Sequence, residues 1–229
     1  MAAERLTRKK LKQDGFVASV EQGLEFVQKN FVVLGVVVLA LVVTLVGISI
    51  YGTSRQRAQQ EASRLLYEGQ IALGQGAYGM AVNRLREVVE EHGGVPVADL
   101  ARIQLANAQN LAGEGSEALA TIETALERLD GDDPLRADAL VVKGVILSDA
   151  GRPAEAADAY AEAIAGDLPP ERRYELTLRL AESHRQAGQP RAAVQALENL
   201  RDAIASGATE GNLRDLDAQI AFYRALSTI

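Results

Sequence analysis

The hydrophobic pattern of the chain changes character near residue 51. Residues 31–51 read FVVLGVVVLALVVTLVGISIY and contain no charged side chain over 21 positions. As a helix this run would reach about 31 Å, close to the hydrocarbon core of a bilayer at about 30 Å. A buried core helix would show polar positions at helical spacing, and a signal-peptide core is shorter and precedes a small-residue cleavage site. The pattern therefore predicts an uncleaved transmembrane helix over residues 31–51.

A second apolar pattern occupies the tail ahead of this run. Five apolar residues recur there at spacings of three and four, which places them on one face of a helix. They are Phe16, Val20, Leu24, Val27 and Phe31. This face predicts an amphipathic helix within residues 1–30. Such a helix could lie in the lipid headgroup region. The alternative is a polar tail with a short helix that either docks on a partner or has no partner, and the sequence leaves both interpretations open.

After residue 61 the pattern becomes periodic on a longer scale. A Gly is followed five positions later by an Ala at four places, and successive places lie 37, 38 and 37 residues apart. The pairs are Gly76 and Ala81, Gly113 and Ala118, Gly151 and Ala156, and Gly188 and Ala193. Repetition at this period indicates a stack of similar helical units.

The residue types within each unit predict a helical hairpin. Each Gly is expected at the C′ position of a helix, where a positive φ is favoured because no Cβ is present. Each Ala falls one turn into the next helix, where a small side chain lets two helices approach closely. Prolines fall at helix starts and at the joins between units. They are Pro153 and Pro190 at starts, and Pro96, Pro134 and Pro169–Pro170 at joins.

The end of the chain predicts a capping helix. Leu213, Leu216, Ile220 and Tyr223 recur at three and four residues and would pack on the last hairpin. Polar side chains between them would face water, as a terminal helix requires. They are Arg214, Asp215, Asp217 and Gln219. The expected divisions are a tail 1–30, a span 31–51, a connector 52–61, an array 62–209 and a capping helix 210–229.

The repeat resembles the tetratricopeptide repeat (TPR) family, in four copies from about residue 62 to residue 206. The resemblance places Gly69 and Gly144 at the family's first-helix Gly, and Tyr160 with Ala163 at its later aromatic and small positions. Ala106 and Ala181 replace that Gly in copies two and four, and the family's first-helix Trp is missing throughout. The implied fold is all-α: an amphipathic helix and a single transmembrane helix, then a TPR-like solenoid of about four hairpins with a capping helix.

The same resemblance assigns a protein-binding groove to the concave surface lined by the first helices. The implied groove residues are Leu66, Gln70, Ile103, Asn107, Asn110, Val141, Val145, Leu178, Glu182 and Arg185. Leu66, Ile103, Val141 and Leu178 hold one equivalent position in the four copies. An apolar stripe with amides beside it suits an amphipathic helix or an extended segment. The alternative is that the stripe belongs partly to the core.

Composition and charge narrow the function. Hydrophobic residues make up 48% of the chain but aromatic residues only 4%, which favours helices over sheets. Residues 53–229 hold 18 basic against 27 acidic side chains, so nucleic acid is not expected as a partner. No Cys is present, and the two histidines, His92 and His184, are far apart. We therefore expect no metal, no cofactor, no small-molecule substrate and no enzymatic activity. The acidic pairs Glu90–Glu91 and Asp132–Asp133 are most simply interpreted as solvated residues at helix ends and in a turn.

The basic residues on the two sides of the predicted span also bear on the orientation of the chain in the membrane. The tail holds six Lys or Arg side chains, which argues that it stays in the cytoplasm. Three basic residues that follow the span favour the opposite orientation, with the array in the cytoplasm. They are Arg55, Arg57 and Arg64. The whole layout resembles the YfgM-like bacterial inner-membrane TPR proteins, which implies a cytoplasmic N-terminus and a periplasmic array near the Sec translocon and periplasmic chaperones.

The expected function is therefore a membrane-anchored adaptor that binds protein partners such as secretion clients or chaperones. The alternatives are a constitutive structural subunit of a larger envelope complex and a cytoplasm-facing membrane scaffold.

Overall fold

The described part of the protein is built from α-helices. The computed structural model describes the backbone of residues 8–166, 168–207 and 212–226, and within these ranges every regular element is a helix. The helices are α1 (Arg8–Gly74), α2 (Tyr78–Glu91), α3 (Val97–Leu111), α4 (Gly115–Arg128), α5 (Pro134–Asp149), α6 (Pro153–Ala165), α7 (Pro170–Gln186), α8 (Pro190–Ala205) and α9 (Leu213–Leu226). The expectation of an all-α fold is confirmed for these residues.

The chain divides into two compact units, and the first covers Met1–Gln56. Within it, the backbone leaves helical geometry at Asn30 (φ −119°, ψ 18°). The side chains of residues 1–28 are outside the described set, and so are the predicted amphipathic positions among them. The described apolar side chains from Phe31 to Leu45 are exposed, as at Val36 with 62%.

The predicted span over residues 31–51 includes side chains outside the described set, at 34, 38 and 46–51. Among the residues that are described, no helix combines the length and the apolar character that crossing a bilayer requires. The transmembrane helix stays a prediction.

The second unit is Arg57–Ile229, and its described residues form four helical hairpins and one further helix. The hairpins pair residues 57–74 of α1 with α2, α3 with α4, α5 with α6, and α7 with α8. Buried apolar side chains form four successive clusters along the stack. Each cluster also includes residues from the hairpin or helix that follows, since Ala98, Ala139, Leu176 and Leu216 belong to the four clusters in turn. The predicted count of about four hairpins is confirmed.

The turn of each hairpin has one geometry. Gly76, Gly113, Gly151 and Gly188 all have positive φ, between 70° and 85°. In each turn the residue after the Gly donates its backbone N–H to the carbonyl five positions earlier, as from Ala77 to Ala72 at 2.9 Å. The Gly itself donates to the carbonyl three positions earlier, as from Gly76 to Leu73 at 3.1 Å. This pair of bonds is the Schellman motif, and it satisfies the last carbonyls of the first helix.

Inside each hairpin a small residue lets the two helices meet. The four predicted alanines of the second helices, Ala81, Ala118, Ala156 and Ala193, are all 0% exposed. On the first helices, a Cβ added to Gly144 would lie 2.5 Å from Cε1 of Tyr160, and one added to Gly69 would lie 2.8 Å from Cγ of Leu85. Neither of these two glycines can be replaced by a larger residue without a clash, because a large side chain of the second helix occupies the space of the missing Cβ.

The joins between hairpins combine prolines with backbone capping by arginine. Pro153 and Pro190 occupy the first turn of a helix, as expected from the sequence, and Pro134 and Pro170, expected at joins, also begin helices. Arg136 of α5 donates to the carbonyls of Leu126 and Leu129 at the end of α4, both at 3.3 Å. Arg173 of α7 donates in the same way to Ile164 (2.6 Å) and Gly166 (3.3 Å) at the end of α6. These two arginines, which the sequence analysis did not single out, tie each hairpin to the preceding one.

The last helix packs on the fourth hairpin. Asn212 precedes α9, and its side-chain oxygen accepts the backbone N–H of Arg214 at 3.1 Å. Leu216, Ile220 and Tyr223 are buried as predicted, but Leu213 is 40% exposed. The prediction that Leu213 belongs to the buried face is wrong, since this residue lies in the first turn at the edge of that face. The predicted polar residues Arg214, Asp215, Asp217 and Gln219 are exposed.

We predict that Gly144→Ala destabilises the protein by about 1–3 kcal/mol, because the new methyl group would overlap the ring of Tyr160. Urea unfolding measures the change. The double variant Gly144→Ala with Tyr160→Leu should recover part of the loss, because copies two and four already combine Ala106 with Ile122 and Ala181 with Leu197.

Gly79→Ala is the matched control for this experiment. A Cβ at this helical position meets nothing within 4 Å, so the variant should be neutral or stabilised by up to about 1 kcal/mol. Equal effects of the two single substitutions would contradict the contact between Gly144 and Tyr160.

Candidate functional site on the first helices

The four equivalent apolar positions of the predicted groove differ in burial. Leu66 and Ile103 are 7% and 3% exposed and belong to the first two core clusters. Val141 and Leu178 are partly buried and pack against the third and fourth clusters. In copies one and two this stripe is therefore part of the core, which was the alternative that the sequence left open. In copies three and four it retains accessible surface.

The polar residues of the predicted groove are more accessible to solvent than Leu66 and Ile103. Gln70 is exposed, and Asn107 is partly exposed. The amide of Asn110 on α3 donates to Oδ2 of Asp149 on α5 at 2.6 Å. This hydrogen bond joins the first helices of copies two and three. The amide N–H groups of Asn110 are thus partly engaged within the protein, whereas those of Asn107 have no hydrogen bond among the described side chains.

A depression of about 360 Å³ lies between α5 and α7. It brings together three predicted residues, Val145, Leu178 and Glu182. Its lining also includes Asp149 and Tyr160, which the groove prediction did not include. Tyr160 could have been found from the sequence, because Gly144 leaves space for a large aromatic side chain. The lining therefore combines apolar side chains with the carboxylates of Asp149 and Glu182 and the guanidinium of Arg179.

Glu182 and Arg185 are strongly perturbed titratable groups of this surface, with the pKa of Glu182 lowered and that of Arg185 raised. The carboxylate of Glu182 accepts hydrogen bonds from Nε of Arg185 at 2.8 Å, from Gln186 at 2.9 Å and from the Tyr223 hydroxyl of α9 at 2.9 Å. The hydrogen bond from Arg185 is the largest cause that lowers the pKa of Glu182, to about 2, although burial acts in the opposite direction. Burial and the bond to Glu182 together raise the pKa of Tyr223. The network fixes Arg185 against Glu182 and links α7 to α9.

A larger depression, of about 600 Å³, lies away from the predicted groove at the loop between α4 and α5 and the end of α6. Its lining includes Arg136 and Glu162, which form an ion pair at 2.8 Å, and Arg136 also caps α4. These polar groups serve the join between two hairpins. Its size alone does not make this depression the functional site, since Asp133, Arg136 and Glu162 already have partners within the protein.

The residues considered for chemistry have local structural partners. His92 ends α2 and donates its backbone N–H to the carbonyl of Val88. Nδ1 of His184 lies 2.9 Å from Oε1 of Gln189 across the last hairpin turn. Asp133, expected in a solvated turn, caps α5 by accepting the backbone N–H of Leu135 at 2.8 Å. Within the described ranges, no cluster of three or more His, Cys, Asp and Glu residues is arranged to hold a metal ion.

Sequence families agree with this architecture. The chain matches the tetratricopeptide repeat-like domain over residues 25–132 and again over 66–177, together more than half of its length. The chain belongs to the TPR family. A second description, tetratrico peptide repeat, matches residues 150–227 and so includes α9. No match was found among curated proteins.

Solved structures share the TPR fold. The TPR-like repeats of a putative kinesin light chain from Podosopora anserina are 20% identical over 73% of this chain and 93% of theirs, with a TM-score of 0.57. A TPR protein from Parabacteroides merdae is 15% identical over 72% of this chain and 61% of its own, with a TM-score of 0.55. A thermophilic TPR protein in Thermus thermophilus is 16% identical over 80% of this chain and 95% of its own, with a TM-score of 0.52. At these identities the likeness shows the fold alone.

We predict that Glu182→Gln lowers the free energy of unfolding by about 1 kcal/mol at pH 7, a value discounted for solvent screening because the Glu182 side chain is 41% exposed. The folded-state pKa lies below the ordinary 4.5, so the contribution is present above pH 4.5 and is lost as the pH falls toward 2. Urea unfolding at pH 7, 4 and 2.5 should show the difference between wild type and variant shrinking.

Glu175→Gln removes a comparable carboxylate from the same helix and serves as the control. Its ion pair with Arg179 is exposed, so the change should be below about 0.5 kcal/mol. A constant difference between wild type and Glu182→Gln at all three pH values would contradict the assigned network.

Proposed function

We propose that this chain is a membrane-anchored TPR adaptor that binds segments of other proteins on the surface of its first helices. TPR domains bind proteins, and the repeat provides surface without a convergent catalytic group among the described residues. The depression between α5 and α7 is the observation that carries the proposal. Its lining combines the apolar side chains of Val145 and Leu178 with the charged groups of Asp149, Arg179 and Glu182, which suits a short apolar segment that carries polar groups.

Membrane attachment through residues 31–51 is the second part of the proposal. It is supported by the absence of charge in that run and by the exposure of side chains such as Leu39 (64%) and Val43 (63%). Thr44 donates its hydroxyl to the carbonyl of Ala40 at 2.8 Å, so this polar group already has a partner within its own helix. A helix in lipid requires such internal pairing. Attachment would raise the local concentration of the array for partners at the same membrane.

The proposed location is the bacterial inner membrane, with a cytoplasmic N-terminus and a periplasmic array. The six basic residues of the tail support this orientation. Clients or chaperones at the Sec translocon are the proposed partners, on the resemblance to the YfgM-like proteins. The cytoplasm-facing alternative draws on Arg55, Arg57 and Arg64, which follow the run.

We predict that the protein remains with the membrane fraction after alkaline carbonate extraction. Leu39→Arg with Val43→Arg should release most of it, because each charge at the centre of a span costs about 2.5–3.5 kcal/mol. Ser54→Arg with Gln56→Arg, outside the run, is the matched control and should stay bound. Release of the wild-type chain would contradict the anchor.

Protease added to spheroplasts should then degrade the array, whereas full protection would favour the cytoplasm-facing scaffold.

We predict that a photo-crosslinking residue at Val145 in cells captures several proteins at substoichiometric yield. The same probe at Asp158, exposed on the second helix α6, is the control and should capture markedly less. Leu178→Asp in combination with the Val145 probe should reduce the crosslinking yield, because it replaces an apolar side chain of the lining with a charged one. Equal capture at both positions would contradict the groove. A few stoichiometric partners that survive detergent would instead indicate a constitutive subunit.

A further inference from the structure

The last helix, α9, continues the repeat. The small residue of each first helix recurs at Gly69, Ala106, Gly144 and Ala181, at intervals of 37, 38 and 37 residues. A further interval of 37 residues leads to Ala218 in α9. Two positions after the small residue, Ala108, Ile146, Ser183 and Ile220 are buried, whereas Ile71 of the first copy is 41% exposed. By sequence and by burial, α9 is therefore the first helix of a fifth copy.

The contacts of α9 agree with this assignment. Leu216, Ile220 and Tyr223 belong to one core cluster with Ala181 of α7 and Leu197 of α8. Tyr223 also reaches Glu182 of α7, and Arg224 forms an ion pair with Glu198 of α8. A first helix in the interior of the stack likewise contacts both helices of the preceding hairpin. The helix therefore presents its remaining face where its own second helix would pack.

That remaining face is uncovered in the described structure. In copies one and three the small residue contacts a large side chain of the second helix, as between Gly144 and Tyr160. In α9 the equivalent Ala218 is exposed, and so are Ala221 and Phe222 one turn later. Phe222 is 59% exposed, and its ring lies 5.6 Å from that of Tyr223. The positions of Ala218 and Ala221, which are buried in most of the other copies, are thus open to solvent, and Phe222 extends this apolar stripe.

We propose that α9 of a second copy of this chain covers this stripe, in an antiparallel pair related by a two-fold axis. Inside the hairpins, one helix supplies a small residue and the other a large one. Helix α9 carries both on the same face, with Ala218 small and Phe222 large. A two-fold axis near residue 220 sets Phe222 of each copy over Ala218 of the other. The surface is therefore complementary to itself, as an isologous interface requires.

Charge supports the antiparallel direction. Arg214 lies one turn before Ala218 on the same stripe, in the first turn of α9, where a cation is unfavourable beside the positive end of its own helix. In an antiparallel pair it lies beside the carbonyl end of the other α9, where a cation is favourable. A parallel pair would instead bring the two Arg214 side chains together.

The pair is expected to be weak in dilute solution. A helix of 14 residues offers one narrow face, well below the total of about 1,200–2,000 Å² that stable complexes bury. Trapping therefore suits the test better than sedimentation. The sequence contains no Cys, so a single introduced thiol reports one position without background.

The test is disulfide trapping of the purified full chain in mild detergent under a mild oxidant. Ala221→Cys should give a linked dimer at several times the yield of Gln219→Cys, which is exposed on the same helix but off the stripe. Mixed Ala218→Cys and Phe222→Cys chains should link to each other more than either links to itself. Adding Phe222→Glu to Ala221→Cys should reduce the yield to that of Gln219→Cys, with an unchanged melting temperature because Phe222 is exposed.

Three results would overturn the proposal. Equal yields at residues 219 and 221 would show random collision, and strong self-linking of Phe222→Cys would show a parallel pair. A yield unaffected by Phe222→Glu would place the contact elsewhere, for example in residues 31–51. These outcomes are independent of the groove and the membrane anchor, because neither enters the argument.

Discussion

The close approach of two helices at one small residue is the contact on which the whole stack depends. At Gly144 the ring of Tyr160 occupies the space of the missing Cβ, and at Gly69 the side chain of Leu85 does the same. This contact fixes the separation of the two helices of a hairpin. The positive-φ Gly at the turn fixes their connection. Together they make each copy a similar block, and arginines such as Arg136 and Arg173 join one block to the next.

A stack of this kind creates surface, and the surface varies along its length. In copies one and two the equivalent apolar positions, Leu66 and Ile103, contribute to the core, whereas Leu178 in copy four borders an open depression. The candidate binding region therefore lies toward the second half of the array. The same repetition explains the exposed stripe of α9 in the described structure, because Ala218 holds a position that is buried in the other copies.

Much of this fold was predictable from residue spacing, because the interactions that define it are local. The turn glycines, the buried alanines and the helix-starting prolines all act within one hairpin. The sequence analysis did not find the bond from Tyr223 to Glu182, since it depends on how one copy meets the next. It also missed the positive φ of Gly207 and the capping role of Asp133, although both are local. It also assigned α9 as a cap only, because α9 lacks the Gly and Ala turn that marks the other copies. The site was harder to predict, since the four equivalent apolar positions look alike in sequence and differ only in burial.

The most direct test of the central contact is its proton distances in solution. Nuclear Overhauser measurements on the isotope-labelled protein should show cross-peaks from the Gly144 Hα protons to the ring protons of Tyr160, and from the Gly69 Hα protons to the methyl groups of Leu85. Both pairs are expected to give strong signals, because a Cβ in their place would lie within 3 Å of these side chains. Absence of both cross-peaks in a folded, helical protein would contradict the account.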